Sequence, residues 1–167
     1  MGVTSRLVVI GVGNRDRGDD AVGPIVCDRI GELDLPDVES VVFEGSVLDL
    51  PIHWSTTDRV VIVDAAEPAG EPGRIIEVDG RATRLVTPGP LSTHTIDVGA
   101  AIELARALDR LPAQLSIIGI EGAEFEFGAW LTSAVEHAAA TVVATLERRA
   151  AADPERGSVH DFGRGTR

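Results

Sequence analysis

Three polar residues that are far apart in the chain are of the types that bind a divalent metal together. Asp20 follows a glycine-rich loop, Asp64 closes an apolar stretch, and His94 follows a Ser-Thr pair. Carboxylate oxygens and an imidazole nitrogen suit zinc, nickel or cobalt, and three protein ligands leave coordination positions open for a substrate group or a water. A metal in such a site polarises a carbonyl or lowers the pKa of its bound water. The three residues therefore predict a small catalytic metal site.

Short apolar stretches alternate with helical stretches along the chain, and this order positions the three residues. The hydrophobic pattern predicts strands at 7–11, 38–43, 59–63, 74–78 and 115–120, and helices at 20–30, 49–54, 95–108 and 132–151. This alternation favours an α/β fold, a three-layer α/β/α sandwich around a mainly parallel twisted sheet of about five strands. Ligands of such sheets bind beyond the carboxyl ends of the strands. Asp20, Asp64 and His94 can therefore reach the same edge.

Length and composition indicate a single domain. The chain has 167 residues, of which 44% are hydrophobic, and this is enough to bury one substantial core. We expect one α/β domain over residues 1–152. The segment 153–167 is rich in Gly, Arg, Asp and Ser and is predicted to be a disordered tail.

The charge and the cysteine content narrow the class of partner and the compartment. Fifteen basic and 27 acidic residues give a net charge of −12, which disfavours nucleic acid and favours a protein partner with a basic docking face. The single cysteine, Cys27, allows a reducing compartment. The sequence shows no charged leader and no long apolar segment of the kind that spans a membrane. We expect a cytoplasmic protein without a membrane partner, a monomer that docks its partner transiently.

Other sites are less well supported by the sequence. The loop that begins Gly11-Val12-Gly13 resembles a dinucleotide fingerprint, but Asp16 stands where that fingerprint requires glycine. The sequence contains neither Gly-x-Ser-x-Gly nor His-Glu-x-x-His. Cys27 falls on the apolar face of a predicted helix, which is typical of a packed thiol, and His53 is predicted to be a partly exposed packing residue.

Each of the three selected residues also has a purely structural alternative. Asp20 or its neighbour Asp19 is of the type that caps a helix, and Asp64 is able to accept hydrogen bonds from nearby loop amides. His94 is also compatible with a simple position at the start of a helix. Asp16 lies in the same loop as Asp20, but it is equally suited to a solvated ion pair with Arg15 or Arg17. Gly13 and Asn14 tolerate positive φ and are predicted to shape that loop.

Three motifs in a fixed order make the comparison with a known family specific. They are Gly11-x-Gly13-Asn14…Asp19-Asp20-x-x-Gly23, a strand that ends in Asp64-Ala65, and Ser92-x-His94. In this pattern the chain resembles the hydrogenase maturation endopeptidases, which trim the C-terminal tail from the large subunit of nickel–iron hydrogenases. The resemblance runs from about Leu7 to about Arg149 and includes Glu44-Gly45-Ser46.

The resemblance implies a function and a role for each residue. Asp20, Asp64 and His94 would be both the catalytic and the metal-binding residues of a metal-dependent endopeptidase. The metal would be nickel delivered by the substrate, with zinc or cadmium as substitutes in vitro. The partner would be the precursor of a nickel–iron hydrogenase large subunit. Some family members have glutamate where this chain has Asp20, whose side chain is shorter by one methylene.

Two further expectations follow. Asp20 and His94 lie near predicted helix N-termini, where the helix dipole favours the metal-binding protonation states but opposes a cation. The bare site is therefore predicted to bind metal weakly until the substrate supplies it. The alternative function, from a different class, is a non-catalytic metal-sensing or partner-binding module in hydrogenase assembly.

Overall fold

The computed structural model describes residues 5–82 and 93–152, with only the backbone described for Val47 and for residues 93–97. These residues form a five-stranded sheet covered by helices on both faces. The elements are β1 (Leu7–Val12), α1 (Val22–Glu32), β2 (Val38–Phe43), β3 (Arg59–Ala66), β4 (Ile75–Asp79), α2 (Thr93–Ala107), β5 (Gln114–Glu121) and α3 (Ser133–Ala151). A 3₁₀ turn, Gly18–Ala21, leads into α1, and a second 3₁₀ helix, Val47–His53, follows β2.

The sheet has the strand order β2-β1-β3-β5-β4, and all neighbours are parallel except β4, which pairs antiparallel with β5 at the edge. The internal strand β1 is buried at every position, as expected for a strand covered on both faces. The predicted α/β class and the mainly parallel five-stranded sheet are confirmed.

Alternate residues of β3 divide between two hydrophobic cores. Val61 and Val63 pack with α1 and α3 on one face, whereas Val60 and Ile62 pack with α2 on the other. Because successive side chains of a strand point to opposite faces, Asp64 belongs to the face covered by α2. The strand therefore assigns Asp64 to one particular layer of the sandwich.

Several element boundaries differ from the sequence prediction. The strand predicted to end at residue 63 continues to Ala66, because Asp64 pairs with Gly119 and the ladder with β5 runs on to Glu121. The helix predicted from residue 20 begins as the 3₁₀ turn, and α1 proper starts at Val22. The predicted helix 49–54 is the 3₁₀ helix Val47–His53. The predicted tail, 153–167, lies outside the described residues.

Two glycines let α1 start directly against the sheet. A Cβ at Gly23 would overlap the carbonyl oxygens of Val12 and Val63, and a Cβ at Gly11 would overlap the carbonyl of Gly23. The first turn of α1 therefore lies in backbone contact with β1 and β3. This close approach places the turn that carries Asp20 over the carboxyl ends of both strands.

Within the described residues, no helix has the length and hydropathy needed to span a membrane.

Candidate active site

Asp20 and Asp64 lie at the same edge of the sheet, as the sequence predicted. Asp20 is in the 3₁₀ turn that follows β1, and this turn contacts β3, which carries Asp64 near its carboxyl end. Both residues are almost completely buried, with exposed fractions of 3% and 2%. Burial of a carboxylate is costly unless it is paired or hydrogen-bonded, so two such residues at one strand edge require a specific explanation.

The loop after β1 is shaped around Asp20. The backbone N–H of Asn14 donates to Oδ2 of Asp20 at 3.1 Å, and Oδ1 of Asn14 accepts from the N–H of Asp16 at 2.9 Å. Gly13 has a φ of 136°, and a Cβ there would overlap the carbonyl oxygen of Asp20. The predicted loop-shaping role is confirmed for both residues, but of the two only Gly13 has a positive φ, and Asn14 acts through its hydrogen bonds. The side chain of Asp16 is exposed.

Asp19 binds a distant part of the chain. Its Oδ2 accepts from the N–H groups of Ala123 and Glu124 at 2.8 and 3.0 Å, and its Oδ1 accepts from the N–H of Thr132 at 2.7 Å. The hydroxyl of Thr132 also donates to both oxygens at 3.1 Å. Thr132 is the N-cap residue of α3. Asp19 is therefore a structural residue that fixes the segment 122–132, hereafter the 122–132 loop, to the turn that carries Asp20.

Asp64 accepts a hydrogen bond from the N–H of the next residue, Ala65, at 2.8 Å. Its strand face is the one covered by α2, and His94 is the second residue of α2. Gln114, the first residue of β5, lies at the amino edge of the sheet, and a short connection joins it to the end of α2. The helix α2 therefore begins toward the carboxyl edge. The backbone thus places the helix that bears His94 on the same face of the sheet, and at the same edge of the sheet, as Asp64. The side chain of His94, and all of Ser92, lie outside the described residues.

Two of the three side chains expected from the sequence as metal ligands are described, and both are carboxylates. Asp20 and Asp64 offer carboxylate oxygens, which bind magnesium, manganese, zinc and related divalent ions. Among the side chains that the structure describes, no three or more of His, Cys, Asp and Glu are grouped closely enough to hold a metal. The metal-binding roles expected for Asp20, Asp64 and His94 all stay predictions.

A further buried carboxylate, Glu121, was not selected from the sequence. It is 1% exposed, and its Oε1 accepts from the N–H groups of Glu71 and Ala69 at 2.7 and 2.5 Å. These hydrogen bonds, that from Glu71 above all, hold the pKa of Glu121 below its usual value. Glu121 ends the apolar stretch of β5 as Asp64 ends that of β3, and this shared pattern could have identified Glu121 in the sequence as a candidate. Its partners show that it fixes the loop after β3.

The remaining candidates have structural roles. Burial raises the pKa of the Cys27 thiol to about 12, and its Sγ lies 3.5 Å from the carbonyl oxygen of Val9, so the predicted packed thiol is confirmed. His53 is half-buried and packs edge-on against Phe43, with ring centroids 5.6 Å apart. Arg15 forms a two-bond ion pair with Asp28. Of the two partners suggested for Asp16, Arg15 is thus bound to Asp28, and Arg17 donates from Nε to the carbonyl of Phe125 at 3.3 Å.

Comparison with known proteins gives the class of this molecule. A family model described as hydrogenase maturation protease matches residues 46–149. The solved structure of [NiFe] hydrogenase maturation protease HybD from Thermococcus kodakarensis is 25% identical and has a TM-score of 0.72; the match covers 87% of this chain and 99% of that one. HybD from Escherichia coli shares the fold at 24% identity, with a TM-score of 0.68 over 86% of this chain and 93% of its own.

A Methanocaldococcus jannaschii relative, itself assigned only provisionally as a hydrogenase maturation protease, is 23% identical over 122 residues, which are 71% of this chain and 77% of the relative. The fold and these matches together define a peptidase with an α/β fold. The chain belongs to the hydrogenase maturation protease family, so the resemblance inferred from its motifs is confirmed.

Proposed function

We propose that this chain is a metal-dependent endopeptidase that removes the C-terminal extension of a nickel–iron hydrogenase large-subunit precursor after nickel insertion. Membership of the hydrogenase maturation protease family supports the reaction class. The observation that carries the proposal to a specific site is the pair of buried carboxylates, Asp20 and Asp64, at the carboxyl edge of the sheet.

The hydrogen bonds of Asp20 support a role in binding a ligand. Within the described part of the chain, Asp20 accepts a hydrogen bond from one donor group, the N–H of Asn14, whereas the adjacent Asp19 accepts from four donor groups. A carboxylate that only supports the fold is expected to have its oxygens occupied by donors, as those of Asp19 are. Asp20 thus keeps capacity for a metal or a substrate group.

Asp20, Asp64 and His94 would hold the metal between the 3₁₀ turn, β3 and the start of α2. Nickel already placed in the large subunit would be part of the substrate, and zinc or cadmium would substitute in vitro. When bound, the metal supplies Lewis-acid polarisation of the scissile carbonyl. The start of α2 and the turn that carries Asp20 present helix N-termini, which oppose a resident cation and favour a site that fills with substrate.

The carboxylates have the chemistry needed for peptide hydrolysis. A carboxylate of the pair accepts a proton from the attacking water, whose oxygen adds to the carbonyl carbon. The C–N bond then breaks and the proton passes to the leaving amine. The buried position of both side chains limits bulk water around the reacting atoms, which strengthens the electrostatic interactions there.

The test mixes the purified chain with nickel-loaded and with nickel-free precursor and follows the mass of the large subunit. We expect loss of a C-terminal peptide from the nickel-loaded precursor only. Cleavage of both precursors at equal rates would contradict the dependence on substrate nickel. Tight binding of the loaded precursor without any mass loss would instead support the non-catalytic assembly module.

A further inference from the structure

The 122–132 loop presents two large aromatic side chains to solvent. Trp130 is 90% exposed and Phe127 is 77% exposed, whereas the other tryptophan, Trp54, is buried. Exposed apolar side chains of this size that cluster on a surface mark sites of interaction. Trp130 and Leu131 also line a groove of about 360 Å³, which Ala21 of the 3₁₀ turn and Ile25 of α1 border on the other side.

This loop is fixed to the turn that carries the candidate catalytic residue. Besides the hydrogen bonds to the Asp19 carboxylate, the N–H of Asp19 donates to the carbonyl of Glu124 at 2.7 Å, and the N–H of Gly128 donates to the carbonyl of Asp16 at 2.7 Å. A Cβ at Gly18 would overlap the Glu124 carbonyl, so the two segments are in direct contact. The aromatic residues are thus exposed on a well-supported segment next to Asp20.

The charges around the groove restrict what binds there. The 122–132 loop contains Glu124 and Glu126 and no basic residue. Of the two guanidinium groups at this surface, that of Arg17 donates from Nε to the carbonyl of Phe125 at 3.3 Å, and that of Arg15 is ion-paired with Asp28, so the two glutamates leave the loop net negative. The loop therefore complements a partner surface that combines a bulky apolar side chain with positive charge.

We propose that the 122–132 loop and the adjacent groove form a docking surface for the precursor, in which Trp130 and Phe127 contact a bulky apolar side chain on a basic face of that protein. This inference rests on the proposed function, because it names the surface by which the same substrate is held beside Asp20. The groove borders Gly18 and Ala21, which flank the Asp19-Asp20 pair, so a bound chain would lie beside the turn that carries Asp20.

Kinetics of the full-length protein on nickel-loaded precursor test the proposal. We expect Trp130→Ala, and separately Phe127→Ala, to raise KM about tenfold or more, as is typical of aromatic residues at the centre of an interface. Leu108→Ala is the matched control, since Leu108 is an apolar residue that is 59% exposed and follows the C-terminal end of α2 directly. KM values for both loop variants that equal those of wild type and the control would overturn the proposal.

A binding experiment separates this inference from the proposed function. The protease is labelled with 5-fluorotryptophan, which gives one ¹⁹F signal for Trp130 and one for Trp54, and unlabelled precursor is added. We expect the Trp130 signal to shift and the buried Trp54 signal to stay in place. If the precursor is bound in this way but never cut, the docking surface stands and the peptidase proposal fails.

Two results would overturn the docking surface. One is cleavage of the precursor by the wild-type protein with an unchanged Trp130 signal in the complex. The other is a wild-type dimer that becomes monomeric in Trp130→Ala, because Trp130 would then contact a second copy of the chain. Equilibrium sedimentation of both proteins without precursor distinguishes this case.

Discussion

Asp19 and Asp20 are adjacent and both are buried, yet their carboxylates serve different parts of the molecule. Asp19 accepts hydrogen bonds from four donor groups of the 122–132 loop, and these join residues more than a hundred positions apart. Asp20 accepts one from Asn14 within its own loop, among the residues that the structure describes. One aspartate therefore supports the fold, while its neighbour is available at the strand edge where Asp64 lies.

This division predicts opposite effects for the same substitution at adjacent positions. Asp20→Asn should reduce peptide release by about a hundredfold or more, as expected for loss of a catalytic acid–base or ligand group, with little change in the free energy of unfolding. Asp19→Asn should lower the free energy of unfolding by about 1–3 kcal/mol, because buried donors in the 122–132 loop lose a charged acceptor. Urea unfolding and a cleavage assay on both variants check this.

Asp34→Asn serves as the control, because Asp34 is exposed beyond the end of α1 and asparagine tolerates its φ of 46°. It should change neither quantity. A large loss of stability in Asp20→Asn together with a stable Asp19→Asn would reverse the roles assigned to the two residues.

The close approach of α1 to the sheet predicts that Gly23 tolerates no side chain. In Gly23→Ala the new Cβ meets two backbone carbonyls, and backbone moves far less readily than a side chain. We expect a loss of about 1–3 kcal/mol in the free energy of unfolding, typical of overpacking. Gly45→Ala is the comparison, since its Cβ would lie 3.4 Å from the Phe43 ring, an ordinary contact. Equal stability of the two variants would refute the close contact of α1 with β1 and β3.

We expect the buried carboxylate of Glu121 to contribute to the free energy of unfolding, and acid to remove that contribution. Its pKa in the folded protein is lowered, mainly by the hydrogen bond from Glu71, so its contribution is present above the ordinary glutamate pKa. That contribution is lost as the pH falls through the lowered pKa. Glu121→Gln should therefore be less stable than wild type at pH 7, and the difference should shrink under acid. Urea unfolding from pH 7 to about 3 measures this. A difference that is constant with pH would contradict the pKa shift.

The buried Cys27 thiol predicts slow chemistry in the native protein. With a pKa of about 12, very little thiolate is present at pH 8, and Sγ is also shielded inside the core. Reaction with a disulfide reagent such as DTNB should therefore follow unfolding and accelerate strongly in urea. Rapid labelling of the native protein at a rate independent of urea would show that the thiol is accessible.

The sequence predicted the architecture because the sheet depends on local apolar stretches. The strand containing Val60–Val63 could be read from its residues alone, and Asp64 stood out as a charge within it. The end of β3 was predicted too early because pairing with β5, which lies about fifty residues further on, extends it to Ala66. Long-range pairing overrides what a local pattern predicts.

The roles of the buried carboxylates were harder to predict. Nothing local distinguishes Asp19 from Asp20, since the donors to Asp19 lie at Ala123, Glu124 and Thr132. Glu121 was missed for the same reason, because its partners Ala69 and Glu71 belong to a loop about fifty residues earlier. The chemical types of candidate residues are visible in a sequence, but their hydrogen-bond partners arise only on folding.

We propose that Asp64, with Asp20 and His94, forms the catalytic edge of this hydrogenase maturation protease. Mass spectrometry of nickel-loaded large-subunit precursor, followed over time with wild type, Asp64→Asn, His94→Ala and the control Asp34→Asn, tests it most directly. We predict that wild type and Asp34→Asn release the C-terminal peptide at equal rates, and that Asp64→Asn and His94→Ala release none while keeping native circular dichroism. Full cleavage by both Asp64→Asn and His94→Ala would contradict the proposed site.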